Sequence, residues 1–127
     1  MNTLFVAAGG AVGAVLRYVV SGWSQRMFPA TFPWGTLIVN LSGSLVIGLL
    51  WGTFESVVVS PNIRLFVLIG LLGSFTTFST FSLESLNLVR DGEYALLCWN
   101  VSLSVILGIG LAFTGYVSAR SIIGVLR

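Results

Sequence analysis

The 127-residue sequence predicts an all-α integral membrane domain with four spanning helices. Hydrophobic residues make up 56% of the chain and charged residues only 8%, where a soluble domain carries about a quarter charged. Mean hydropathy is +1.01. The charges also divide the chain cleanly: Met27–Phe54, Leu65–Leu83 and Tyr94–Ala119 contain none, and each is near or above the ~20 residues that cross hydrocarbon. Met1–Leu16 is uncharged too, and spans if Arg17 lies toward its far end. One domain, 1–127, follows, with helices at about 3–25, 34–55, 63–88 and 94–120.

Several function classes drop out at once. A net charge of +2, scattered along the chain, is too small to attract nucleic acid. Cys98 is the only cysteine and there is no histidine, so neither an intrachain disulfide nor a transition-metal site has its ligands. No nucleophile–base pair suggests an enzyme.

The first helix carries Gly9 and Gly13, a small-xxx-small pair suited to close helix contact. A dinucleotide fingerprint would need a βαβ context, which the chain lacks. No basic n-region precedes this helix, so it does not read as a cleaved signal. Arg17 comes early in the span and needs either a partner or an aqueous vestibule. Pro29 and Pro33 mark the first connector, with Trp23 and Trp34 as interface anchors.

In the second helix Asn40 is a lone amide about two turns into apolar sequence. Its donors and acceptor require an interhelical hydrogen bond or a pore contact. Ser44, Gly48 and Gly52 form a second close-packing face. Pro61-Asn62 turns the chain into the third helix.

Within that helix, Gly70–Ser82 holds two glycines, six hydroxyl side chains and phenylalanines at 75, 78 and 81. In lipid, such a stretch is either a packing face or a helix interruption, whose freed backbone must meet protein, water or an ion. Arg90-Asp91-Gly92-Glu93 forms the last loop. The fourth helix bears Asn100, Ser104 and Gly108 four apart, a polar stripe on one face.

Four spans place Arg17, Arg26 and Arg90 toward one side and Arg64, Arg120 and Arg127 toward the other. Three against three gives no positive-inside bias. Insertion both ways up, and hence an antiparallel homodimer, is the expectation.

Taken together, Gly9-Gly10-x-x-Gly13-Ala14-x-x-Arg17-Tyr18, Gly35-Thr36-Leu37-x-Val39-Asn40-x-x-Gly43, Gly73-Ser74-Phe75-Thr76-Thr77-Phe78-Ser79-Thr80-Phe81-Ser82-x-Glu84 and Asn100-x-x-x-Ser104-x-x-x-Gly108 resemble the CrcB/Fluc family of microbial fluoride channels over essentially the whole chain. The resemblance implies a dual-topology dimer with the third helix broken near mid-membrane and two fluoride-selective pores. It also implies passive fluoride export at the plasma membrane of a bacterium, which lowers the cytoplasmic concentration. A structural sodium ion would sit at the dimer interface on the backbone carbonyls of Gly73 and Thr76. Phe78 and Phe81 would turn ring edges to the anion, Asn40 would line the pore, and Ser79, Thr80 and Ser104 would match its polar track. Asn100 would join the fluoride-pore residues, although family members often carry an aromatic there; Arg17 and Glu84 have no assigned role.

The chemistry is compatible with this. A strongly hydrated anion needs donors that replace water without holding it too tightly, and a phenyl ring has an electropositive edge. Phe75 shares the spacing of Phe78 and Phe81, and nothing in the residues separates it from them. The main alternative is a small multidrug-resistance-type exporter, also short and dual-topology. It would need an intramembrane carboxylate, whereas Glu55 and Glu84 fall at helix ends.

Overall fold

In the computed structural model, which describes residues 2–125, all regular structure is helical. The first span is α1 (Asn2–Met27) and the second α2 (Trp34–Ser56). The third is assembled from α3 (Pro61–Arg64), a π-helical stretch π1 (Leu65–Leu72), the short α4 (Gly73–Phe75) and α5 (Phe78–Arg90). The fourth comprises α6 (Tyr94–Ser102), a second π-helical stretch π2 (Leu103–Leu107) and α7 (Gly108–Val125). Among the described residues, four stretches are long and apolar enough to cross a membrane: Asn2–Met27, Trp34–Ser56, Pro61–Arg90 and Tyr94–Val125.

Local chemistry sets the ends. Phe28–Pro33 carries two prolines and cannot continue α1, and its rings gather there, with the Phe32 and Trp34 centroids 4.8 Å apart. The third span starts at Pro61, ahead of the expected residue 63, because Ser60 Oγ accepts the Ile63 N–H at 3.3 Å and Pro61 takes the first helical position. The fourth continues past Arg120, whose guanidinium lies 3.2 Å from Glu55 Oε2. The α5–α6 hairpin turns at Gly92, with φ of 76°, a conformation glycine adopts without steric cost. Of the arginines weighed for topology, Arg127 lies outside the described residues.

Glycine drives the packing, as the two small-residue faces predicted. A methyl added at Gly9 or Gly13 would fall on the carbonyl oxygens of Phe66 or Leu71, so α1 lies backbone to backbone against π1. On α2, a methyl at Gly48 would strike the Ala112 carbonyl, and one at Gly52 would come within 2.8 Å of the Tyr116 carbonyl. Gly115 answers them from α7 against Leu45. Where lipid is as apolar as leucine, such close approach is what holds helices together. α2 is the central element: 33% of its spanning window is buried, against 6–17% for the other three. The α5–α6 hairpin stands further out and packs mainly on itself.

Candidate functional site

α4 ends at Phe75, and the next two residues are extended: Thr76 has ψ of 155°, and Thr77 has φ of −149° and ψ of 116°. Thr77 then restarts the helix as the N-cap of α5, its Oγ1 accepting the Thr80 N–H at 3.2 Å. The same hydroxyl donates to Thr80 Oγ1 at 3.0 Å and lies 3.4 Å from Ser79 Oγ. From α2, the Asn40 amide grips this link on both sides. Its Oδ1 accepts the Thr77 N–H at 2.8 Å and its Nδ2 donates to the Thr77 carbonyl at 3.0 Å. Of the two partners the sequence allowed Asn40, the structure shows the interhelical hydrogen bond.

These bonds have a consequence for the carbonyls upstream. In a continuous α-helix the Thr77 and Thr80 N–H groups would close on the carbonyls of Gly73 and Thr76. Here one donates to Asn40 and the other to Thr77 Oγ1, so both carbonyls lose their helical donors. The turn before them is closed by Thr76, whose N–H and hydroxyl both donate to the Leu72 carbonyl, at 3.0 and 2.9 Å. Gly43 on α2 makes room: a methyl there would overlap Thr76 Cγ2. A cavity of about 350 Å³ opens beside the link, lined in part by Asn40, Ser44, Gly73, Thr76, Thr77 and Phe78.

Thr77 also lines a second cavity, of about 400 Å³, with Arg17, Ser21, Gln25, Thr36 and Thr80. Arg17 is half-buried on its wall and makes no ion pair among the described residues. It therefore faces a vestibule rather than a carboxylate. Thr36 Oγ1 donates to Glu84 Oε1 at 2.8 Å, while Glu84 Oε2 is buried without a hydrogen-bond partner among the described residues. Glu84 faces a third cavity of about 500 Å³ under the first connector, which shares Gln25 with the Arg17 vestibule. The Thr36–Glu84 pair thus stands between the two spaces.

The extended link also separates the three phenylalanines. Phe75 belongs to α4 and lies against α2, its Cδ1 3.4 Å from where a Gly43 methyl would sit. Phe78 and Phe81 belong to α5, with ring centroids 5.6 Å apart and planes at 41°. Phe78 is 79% exposed. The three-residue spacing does not carry through a change of backbone direction, which gives Phe75 a packing role that the sequence could not distinguish. On the fourth span, Asn100 is 1% exposed and its Nδ2 donates to Ser85 Oγ at 3.1 Å, tying α6 to α5. Ser104 Oγ is buried without a partner among the described residues, and Gly108 faces Ser44.

Three participants escaped sequence reasoning: Thr36, Thr77 and Ser85. Thr36 was detectable, since it lies four residues before Asn40 on the same face of α2. Nothing local singled out Thr77 within a run of hydroxyl residues, because its role depends on an amide 37 positions away. Ser85 likewise depends on Asn100.

Residues 4–116 match the family profile described as CrcB-like protein, Camphor Resistance (CrcB). The chain belongs to the CrcB family. It is 45% identical over 121 residues to a protein of Maridesulfovibrio salexigens named fluoride-specific ion channel FluC, covering 94% of this chain and 96% of that one. Proteins with the same name from Parabacteroides distasonis and Magnetococcus marinus are 44% and 47% identical over 127 and 123 residues. Those alignments cover 100% and 96% of this chain and 99% and 100% of theirs. These relatives are named as ion channels, a non-enzymatic function, and all three come from bacteria. With its four apolar spans, this CrcB-family chain is a multi-pass protein of the bacterial cell membrane.

Proposed function

We propose that the protein is a fluoride-selective passive ion channel that lets fluoride leave the cell down its electrochemical gradient. The observation that carries this reading is Thr77, which lines both the Arg17 vestibule and the cavity beside Asn40 and Phe78. Arg17 raises the local anion concentration at the mouth without a carboxylate to neutralise it. Beyond it the hydroxyls of Thr80 and Ser79 offer donors in place of water, and neither carries a charge that would trap the ion. Phe78 and Phe81 follow on α5, where ring edges can face an anion that has shed water. Ser104, whose buried hydroxyl has no partner among the described residues, extends the polar lining from the fourth span, while Asn100 ties α6 to α5 behind it. The names of the FluC relatives support fluoride as the ion.

The functional unit in this reading is an antiparallel dimer with two pores, the extended link lying near mid-membrane. Support comes from the balanced arginines and from the link's cavity, which stays open at Gly73 and Phe78, both exposed in the single chain. A second, inverted copy would cover that face. The Gly73 and Thr76 carbonyls, released from helical donors, are hard oxygen ligands of the kind an alkali cation takes in place of water. They would hold a structural sodium ion between the copies, whose charge would offset the cost of anions passing nearby. In proteoliposomes loaded with fluoride, a fluoride-selective electrode should record efflux when a potassium ionophore relieves the charge. Chloride-loaded vesicles should retain their content. Equal release of both anions, or of neither, would remove the proposal.

A further inference from the structure

We infer that Asn40 is the positioning residue for the cation cradle: its grip on Thr77 keeps the third span from closing over the Gly73 carbonyl. The inference deepens the sodium reading above and rests on it. Its basis is the pairing of one side-chain amide with both backbone groups of a single residue, at 2.8 and 3.0 Å. A neighbouring β-strand residue would satisfy an extended residue in the same way. An amide is suited to this because one planar group supplies both donor and acceptor. Without it, Thr77, only 7% exposed, would hold an unpaired N–H and carbonyl, at a cost that favours another partner. In helical register the acceptor for that N–H is the Gly73 carbonyl, four residues back. Making that bond would draw the oxygen that the cation needs into helical register, aimed at the N–H.

The surroundings fit a brace. α2 is held on α7 by the glycine contacts at 48, 52 and 115, so Asn40 projects from a fixed support. Three residues along, Gly43 leaves the slot that Thr76 fills. α2 therefore sets the positions of both extended residues at once. A residue that only touched the passing anion would have no need to occupy both of its hydrogen-bonding ends on the protein.

Asn40→Leu keeps the size of the side chain and removes both bonds without adding charge, and Asn40→Ala serves should the leucine variant fail to fold. The full-length protein is titrated with sodium, with N-methylglucamine as the replacement cation. Thermal midpoint in detergent and fluoride efflux from vesicles are both followed. Wild type should show a sodium-dependent rise in both. Either Asn40 variant should need at least about tenfold more sodium for half of its own thermal stabilisation, the scale of one or two lost hydrogen bonds. Phe81→Ile, which alters only a ring edge, should leave that sodium midpoint in place. An unchanged sodium midpoint in the Asn40 variants, with wild type sodium-dependent, overturns the inference and leaves Asn40 as an anion contact alone. A wild-type protein indifferent to sodium in both readouts overturns the cation reading itself, and the brace with it.

Discussion

Replacing Thr77 by valine keeps the shape of the side chain and removes one hydroxyl, and the structure says what that hydroxyl holds. It accepts the Thr80 N–H at 3.2 Å, donates to Thr80 Oγ1 at 3.0 Å and sits in a residue only 7% exposed. Loss of a threonine N-cap costs roughly 0.5–2 kcal/mol, and an unsatisfied donor left in a buried site about 1–3 kcal/mol. The two overlap, because the Thr80 N–H is counted in both, so the net expectation is about 1–3 kcal/mol. Part of that loss would be relieved if the Thr80 N–H returned to the Thr76 carbonyl in helical register, at the expense of the carbonyl's freedom. Equilibrium unfolding in mixed detergent micelles measures the stability, and vesicle efflux measures conduction. Thr77→Val should be less stable by that amount and slower to conduct, while Thr77→Ser, which keeps the cap, should resemble wild type in stability. A valine variant as stable and as conductive as the parent would refute the role given to the cap.

Other perturbations probe other parts. Phe81→Ile preserves bulk and apolarity but has no ring edge, so flux should fall severalfold or more while unfolding stability changes by less than about 1.5 kcal/mol; unchanged flux returns Phe81 to packing. Gly48→Ile drives a branched side chain into the Ala112 carbonyl. It should cost at least about 1–3 kcal/mol, read in the same unfolding assay, whereas isoleucine at Gly110, where an added methyl meets nothing within 4 Å, should cost far less. Arg17→Gln should reduce efflux most at low ionic strength, where its field reaches furthest; a salt-independent effect would argue against steering at the vestibule.

How far the sequence reached can be judged residue by residue. The four spans were legible because in lipid a long uncharged run has few alternatives. Gly9, Gly13, Gly48 and Gly52 were legible as packing faces because a four-residue spacing of small side chains has one main use in a membrane. The π-helical stretches were not, since Leu65–Leu72 and Leu103–Leu107 are composed like ordinary apolar helix. Nor could the division between Phe75 and Phe78 be read, because it depends on the dihedral angles of the two threonines between them. Arg17 and Asn40 each demanded a partner or a cavity on sight. Which one each received is a matter of tertiary placement: a vestibule for Arg17 and the Thr77 backbone for Asn40. The sequence suggested a helix end at Glu84, whereas α5 runs through that residue and on to Arg90. Its bond to Thr36 and its buried second oxygen follow from the packing of α5 beside α2, which sequence alone does not carry.

The claim that the path through Thr77 conducts fluoride in preference to other anions is tested most directly by a reversal potential. In a planar bilayer holding the purified protein, a tenfold fluoride gradient is opposed by an equal chloride gradient in the other direction. A fluoride-selective pore should reverse at about 59 mV in magnitude, with the sign set by fluoride. Reversal near zero, or with the sign set by chloride, would contradict the account.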